Sequence, residues 1–273
     1  MGYYIKFLWY NQAMYLAVDI GGTKTLIALF SKRGRILRRI KFKTSYSKKK
    51  FLDDLCDALN GFKKYNIKSI TVAIPGIVQK SYSVKFGNRD WVDVRIYDLI
   101  KNLFNKPVFL ENDANLATLY ESSGLLGRVV FLTFSTGIGG GIVENGEILP
   151  ESSSFEPGHK VYHYDGKELE WEDIAAASAL EKYYHVDCAT DIRKQEILKD
   201  VAHRIYLGIP DIIKDYNPST IILGGPMGKI FRLYSKYLPS EPNVRYRRPR
   251  RPNESVIYGC YLYAKKNSNS LSS

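Results

Sequence analysis

Asp19 stands at the end of an apolar run and is followed at once by Gly21, Gly22, Thr23 and Lys24. A carboxylate at the end of a buried strand is costly unless a partner such as a hydrated cation meets it. A turn without Cβ atoms lets backbone N–H groups approach a phosphate. The stretch from Met14 to Phe30 therefore reads in two ways: a phosphate-binding hairpin with a metal-organising acid, or an ordinary hairpin that contains Gly-Gly. A second glycine-rich stretch, Ser135-Thr-Gly-Ile-Gly-Gly-Gly141, reads as a turn between strands and offers Thr136, Gly137, Gly139 and Gly140 for the same purpose. It is not a dinucleotide fingerprint, because GxGxxG starting at Gly137 needs glycine where Ile142 stands, and no GxxxxGK[ST] loop is present. A third pair, Gly224-Gly225, closes a short apolar run.

Leu110-Glu-Asn-Asp-Ala-Asn115 is the other segment with chemistry in it. It ends a predicted strand, where α/β proteins place active-site groups. Asp113 there can accept a hydroxyl proton while Asn112 hydrogen-bonds the same substrate. Phosphoryl transfer depends on positioning and electrostatics, so such a carboxylate need only orient the hydroxyl and take its proton late. Asp113 suits equally the N-cap of the helix that follows. In the first reading, two glycine turns clamp β- and γ-phosphates between lobes, and Gly224 and Gly225 leave room for adenosine.

The elements that must carry these residues alternate between strand and helix. Leu52, Leu55 and Leu59 mark an amphipathic helix over residues 51–65. A strand over 69–74 ends in Pro75-Gly76, a helix fits 97–104, a strand 107–110 and a helix 114–121. The alternation predicts an α/β architecture. At Arg128 the pattern restarts: a strand over 129–134, the glycine-rich turn, and a strand resumed at Ile142. Glu144-Asn-Gly-Glu-Ile-Leu149 loosely echoes Ser31-Lys-Arg-Gly-Arg-Ile-Leu37, and two such units predict duplicated lobes facing a cleft. The remainder reads as helices over 174–184 and 193–216, with a strand over 220–223. The Ser/Asn-rich end, 265–273, reads as disordered.

Composition narrows the class. With 273 residues, 45% hydrophobic and 25% charged, the chain has the makeup of a soluble globular protein of one large domain or two lobes. No apolar run approaches the roughly 20 residues that span a bilayer. Residues 1–13 make a poor signal peptide and read as an extension, so a cytoplasmic location without membrane partners is expected. Cys56, Cys188 and Cys260 are odd in number and scattered, which disfavours a disulfide framework or a cysteine zinc site. The net charge of +12 suits an enzyme that attracts anionic phosphates. Its densest run, Arg245-Tyr-Arg-Arg-Pro-Arg-Arg-Pro252, reads as a solvated loop; no nucleic-acid-binding motif accompanies it, although it leaves room for a polyphosphate donor.

Taken together these segments resemble the ROK family of sugar kinases and repressors, within the actin-like ATPase superfamily. The resemblance runs from about Met14 to Ala264. Asp19-Ile-Gly-Gly-Thr-Lys24 is similar to the family's first phosphate motif and Thr136-Gly-Ile-Gly-Gly-Gly141 to its second. Pro75-Gly76 resembles the turn of the sugar domain, and Gly87-Asn88-Arg-Asp-Trp91 the stretch whose Asn contacts sugar. Glu111-Asn112-Asp113-Ala-Asn115 resembles the catalytic motif, Glu156-Pro-Gly-His159 the Glu-x-Gly-His sugar motif, and Gly224-Gly225 the adenosine motif. The resemblance implies a two-lobed, ribonuclease H-like fold with an N-terminal lobe over 14–115, rejoined by a helix near 256–266. A C-terminal lobe would cover 116–255 and a disordered tail 267–273.

It further implies an ATP-dependent kinase acting on a hydroxyl, the 6-OH, of a hexose or N-acetylhexosamine. Asp113 would be the base and Asp19 the residue that organises hydrated Mg2+. Thr23, Lys24 and Thr136 would hold phosphates with both glycine turns, while Asn88, Asn112, Glu156, His159 and Glu172 would select the sugar. Pro75 and Gly76 would line the sugar, and a homodimer is compatible with the family. The chain departs from the family pattern after His159, where a cysteine cluster usually binds zinc with that histidine. Lys160-Val-Tyr-His-Tyr-Asp-Gly-Lys-Glu-Leu-Glu-Trp-Glu172 holds no cysteine, and His159 with His163 cannot complete a tetrahedral site, so no structural zinc is expected. Glu172 inherits the role of the family's sugar-binding Glu, with Glu170 as its substitute if the register shifts; a first-turn carboxylate facing the helix dipole is the plainer reading. A sugar- or nucleotide-responsive regulator of the same family is the alternative. A repressor would need a DNA-binding helix-turn-helix, for which the residues before Met14 are too few.

Overall fold

The computed structural model describes residues 12–76, 91 and 94–270, and the chain divides into two compact units, 1–120 with 256–273, and 121–255. In the first unit, β1 (Met14–Ile20) and β2 (Lys24–Ser31) form the expected antiparallel hairpin, and β3 (Ile36–Lys43) continues it. β4 (Ile67–Ile74) pairs parallel with β1, and β5 (Val108–Asn112) parallel with β4, giving the order β3-β2-β1-β4-β5. Side chains alternate across this sheet as strand geometry requires. Met14, Leu16, Val18 and Ile20 join one core with Phe51, Leu55 and Leu59 of α1 (Lys48–Asn60) and Ile96 and Ile100 of α2 (Ile96–Phe104). Tyr15 and Ala17 join another with Leu116 of α3 (Asp113–Glu121) and Ile257, Cys260, Tyr261 and Ala264 of α10 (Ser255–Ser270). Burial on both faces explains why these strands read as continuous apolar runs.

The second unit repeats the topology. β6 (Arg128–Phe134), β7 (Ile138–Glu144) and β8 (Glu147–Ile148) are successive antiparallel partners, and β11 (Thr220–Gly224) and β12 (Arg245–Arg247) add in parallel, giving the order β12-β11-β6-β7-β8. Read from β8, this is the same sequence of partners and directions as in the first sheet. Between the halves of this sheet lie the hairpin β9 (Val161–Tyr164) and β10 (Lys167–Glu170), then α4 (Trp171–Ala175), α5 (Ala177–Tyr184), α6 (Gln195–Tyr206) and α7 (Ile209–Tyr216). After β11 come α8 (Gly225–Lys229) and α9 (Phe231–Tyr234).

Five expectations are corrected. The glycine-rich turn is only Ser135-Thr136-Gly137; strand β7 begins at Ile138 and runs through Gly139, Gly140 and Gly141, a run whose lack of side chains hides a strand from pattern reading. The helix read over 174–184 breaks at Ala176, whose ψ of 153° is extended. The helix read over 193–216 divides at Gly208, where a Cβ would lie 2.6 Å from the Trp171 ring, and Pro210 opens the next helix. The basic run is not a free loop: Arg245–Arg247 is strand β12, and the buried Glu121 carboxylate accepts the Arg250 N–H at 2.6 Å, the Arg251 N–H at 3.1 Å and the Ser255 hydroxyl at 2.6 Å. The end of the chain is helical through Ser270, because Asn267 Nδ2 donates to the Tyr263 carbonyl, Ser268 is buried, and Asn269 accepts from Lys68. Composition favoured disorder there, and tertiary contacts override it. Residues 271–273 lie outside the described residues, as does the segment 1–11 of the expected extension.

Helix α10 is seated closely on the first sheet. Tyr261 stacks on Phe30 at 4.9 Å between ring centroids and donates its hydroxyl to the Lys32 carbonyl, while the Ser69 hydroxyl donates to the Ala264 carbonyl. At Gly259 an added Cβ would sit 1.9 Å from the Leu116 carbonyl oxygen of α3. Alanine gains roughly 1 kcal/mol of helix propensity over glycine, yet backbone cannot yield to a contact that short. Gly259→Ala is therefore expected to lower unfolding stability by about 1–3 kcal/mol, the usual cost of overpacking, measured as a reduced urea midpoint with unchanged slope.

Candidate active site

In the first unit the three parallel strands β1, β4 and β5 run the same way, so their carboxyl ends share one edge of the sheet. That edge carries Asp19 near the end of β1, Pro75-Gly76 after β4, and Asn112 and Asp113 where β5 passes into α3. Asn112 ties two of these ends together: its Nδ2 donates to the Gly76 carbonyl at 3.0 Å, and its Oδ1 accepts the N–H groups of Ala114 at 2.8 Å and Asn115 at 3.1 Å. Asn112 is thus the residue that caps α3. Asp113 is the first helical residue, with Oδ1 2.8 Å from the Ala114 N–H. Glu111 Oε1 accepts from the Asn112 N–H and the Asn115 side chain, which fixes the base of the turn.

Asp19 is half-buried, points to the α10 side of the sheet, and has no hydrogen-bond or ion-pair partner among the described residues. Burial first and the Asp113 charge second, against an opposing effect of Lys41, raise its carboxyl from the ordinary range to about 7. An unpartnered carboxylate with a second acid near it is a donor set that fits a hard divalent cation. The adjoining turn is held by Thr44: its N–H donates to the Thr23 carbonyl at 2.9 Å and its hydroxyl to the Gly21 carbonyl at 2.8 Å. Gly22, Thr23 and Lys24 are exposed, and a Cβ at Gly22 would meet nothing within 4 Å. Asn88 lies outside the described residues; Trp91, from the same motif, is buried, stacks on Phe51 and donates its indole N–H to the Tyr46 carbonyl.

In the second unit the corresponding strand ends carry Ser135-Thr136-Gly137 after β6 and Gly224-Gly225 at β11. The Ser178 hydroxyl donates to the Thr136 carbonyl at 2.7 Å and the Ser178 N–H to the Ser135 carbonyl at 3.1 Å, so the break before α5 serves to pin this turn. Glu172 holds its other side, with Oε2 accepting the Ile138 N–H at 3.2 Å. That carboxylate comes so close that a Cβ at Gly137 would lie 2.5 Å from Oε2, and one at Gly158 2.6 Å. Gly139 has ordinary clearance, whereas a Cβ at Gly140 would lie 2.4 Å from the Phe155 ring. The space beside Gly224 is filled by the Phe131 ring and that beside Gly225, at φ +67°, by the Phe134 backbone.

The hairpin β9–β10 turns at Asp165 and Gly166, both at positive φ as a two-residue type I′ turn requires. This Asp-Gly signal was present in the sequence and is what would have revealed the hairpin. By folding back it brings Glu170 to His159, with Nδ1 and Oε2 3.0 Å apart, and delivers Glu172 beside them. Among the described residues, donor atoms of His159, Glu170 and Glu172 lie within 4.8 Å of one another; His163 is not in the group. The imidazole is held above its ordinary pKa first by the hydrogen bond to Glu170, and also by the charges of Glu172, Glu170 and Glu156, against a smaller effect of burial. Glu156 precedes the tight turn Pro157–His159.

The Asp19 environment has a thermodynamic consequence. A carboxyl raised to about 7 in the folded chain, against 3.8 for an unperturbed one, binds a proton in the native state that the unfolded chain has released. Native stability therefore falls as pH rises through that window. Asp19→Asn should raise the thermal midpoint at pH 8 by about 3 °C or more, with the gain disappearing near pH 4. Millimolar Mg2+ should recover part of that difference in the native protein and none in the variant.

Among the described residues no helix is long and apolar enough to cross a membrane. The chain is 27% identical to the xylose repressor of Bacillus spizizenii over 185 residues, 58% of this chain and 48% of the repressor, so it spans about half that relative's length. It is 28% identical to the N-acetylmannosamine kinase of Shigella boydii over 258 residues, 83% of this chain and 89% of the kinase. The ROK family glucokinase of Streptomyces griseus, solved in complex with glucose and AMPPNP, superposes with a TM-score of 0.73 at 20% identity, covering 93% of this chain and all of that one. Residues 15–256 match the ROK family, and the fold is that of the actin-like ATPases: the chain belongs to the ROK family.

Proposed function

We propose that this protein is an ATP- and magnesium-dependent sugar kinase that phosphorylates a hydroxyl, the 6-OH, of a hexose or N-acetylhexosamine. The observation that carries the reading is the placement of Asp113. It stands first in α3 at the carboxyl end of β5, and Asn112 supplies the helix cap, so the Asp113 carboxylate is not required for that task. In the reaction the sugar oxygen forms a bond to the γ-phosphorus, the bond from that phosphorus to the β–γ bridging oxygen breaks, and the hydroxyl proton passes to Asp113 Oδ. ADP leaves with the bridging oxygen. Mg2+, when bound, neutralises charge developing on the phosphates, and Asp19 is the residue that would hold it through water. Thr23, Lys24 and the Gly21-Gly22 backbone, with Thr136 and the short 135–137 turn, would hold phosphates. Asn112, Glu156, His159 and Glu172 would select the sugar, and Gly224-Gly225 would border the nucleoside. Glu172 has a second task, since it braces the glycine turn through Ile138.

The xylose repressor similarity supports a second reading, a sugar-responsive regulator without turnover. Coupled ADP release over glucose, mannose, fructose, allose and N-acetylmannosamine separates the two. Sugar-dependent release is expected; release that ignores sugar, or none with any of them, counts against the kinase. With the active sugar, Asp113→Ala should lower kcat by about 10²–10⁴-fold, the usual worth of a positioned base, while sugar affinity by calorimetry stays within about threefold.

A further inference from the structure

The sugar-selecting role given to His159 needs a ring held in one orientation, and the chain contains a device for this that the family motif does not supply. We propose that Glu170 is a positioning residue: it takes the Nδ1–H of His159, fixes the tautomer, and leaves Nε2 to accept a sugar hydroxyl. This rests on the kinase reading for the identity of the ligand.

The geometry is local. Glu170 is the last residue of β10, in register with Val161 of β9, and the Trp171 N–H donates to the Lys160 carbonyl at 2.9 Å immediately beside it. The Lys160 ammonium reaches Asp211 at 3.0 Å and the Tyr162 hydroxyl donates to Asp211 at 2.7 Å, so the hairpin is fastened to α7. Glu170 Oε2 is 3.0 Å from His159 Nδ1, and the side chains are 42% and 59% exposed, so the pair is open to a ligand. Nε2 has no partner among the described residues. An imidazole whose Nδ1 donates to a carboxylate presents a lone pair at Nε2, the arrangement by which proteins commonly set histidine direction. Glu156, Glu170 and Glu172 are the charged groups that act on the ring, and of these Glu170 has the hydrogen bond. Glu172 is committed to the Ile138 N–H through Oε2.

The test uses the full chain with 15N-labelled histidine and no nucleotide. At pH 8.5 the His159 ring should show the Nδ1–H tautomer, and Glu170→Ala should move it toward the Nε2–H form usual for a free histidine. Calorimetry with glucose, mannose and N-acetylmannosamine should show the best-bound sugar weakened about tenfold by Glu170→Ala, the scale of one charge-assisted hydrogen bond. Glu170→Gln, which keeps a neutral acceptor, should restore most of that loss. In steady-state kinetics the effect should appear in KM for the sugar, with kcat changed less than about twofold. An Nε2–H tautomer in the unaltered protein overturns the proposal, as does unchanged sugar affinity in Glu170→Ala. A stoichiometric divalent ion whose removal by chelation abolishes sugar binding overturns it too. The tautomer and calorimetric readouts require no turnover, so a protein that binds sugar as expected but releases no ADP upholds the pair and refutes only the kinase.

Discussion

A carboxylate left without a partner at the end of a buried strand is the constraint around which the first unit is organised. Asp19 shares its face of β1 with Tyr15 and Ala17, under helix α10, and the nearby Asp113 makes its ionised form harder to keep. Nothing in local folding asks for an acid there; an apolar residue would complete the strand at lower cost. The surrounding structure spends several contacts on keeping the arrangement in place. Thr44, just after β3, holds the following turn, Asn112 joins the ends of β4 and β5, and Glu111 supports Asn112 from below. A fixed concentration of negative charge suits a cation and a proton, and the kinase reading assigns the first to Asp19 and the second to Asp113.

The second unit solves a different problem with the same strand order. The carboxyl ends of its parallel strands β6 and β11 carry no acid; beyond β6 stand backbone and two hydroxyls, in Ser135-Thr136-Gly137. Such a turn needs bracing from outside, and it receives it from Ser178 on one side and Glu172 on the other. The segment in which the family usually places cysteines is here a hairpin held by side-chain contacts: Tyr162 and Lys160 on Asp211, and the Arg204 guanidinium over the Tyr164 and Tyr183 rings. Arg204 is nearly fully buried and is neutralised by Asp200 at 2.8 Å. These contacts set the positions of His159, Glu170 and Glu172 from one short stretch of chain.

Much of this was legible in the residues. The hairpin read over Met14–Phe30, the β/α alternation and the restart at Arg128 all follow from apolar periodicity, and the two sheets confirm them. What escaped did so for identifiable reasons. Strand β7 is built on Gly139, Gly140 and Gly141, which carry no strand propensity, and Gly140 is there because Phe155 occupies the space of a side chain. Helix α10 runs to Ser270 through polar residues whose hydrogen bonds lie along and across the helix rather than in its sequence pattern. The resemblance pointed to Glu172 as a sugar residue but not as a brace for Ile138, and the Glu170–His159 contact depends on a hairpin that brings together residues eleven positions apart.

In the kinase reading, the repeated topology also gives the two glycine turns different tasks. A hydroxyl proton is drawn to negative charge, whereas a transferring phosphoryl group is repelled by it and is held by N–H groups, hydroxyls and cations. One sheet edge cannot present both fields over a few ångströms without each weakening the other. Two copies of one strand order remove that conflict, because each copy can specialise. The first keeps Asp19 and Asp113, and Lys41 acts against the rise in the Asp19 pKa. The second keeps its acid, Glu172, on a backbone N–H, that of Ile138, with the carboxylate close beside Gly137. In the kinase reading, the contact between Glu172 and Ile138 is what would let a sugar-selecting acid sit beside a phosphate-holding turn.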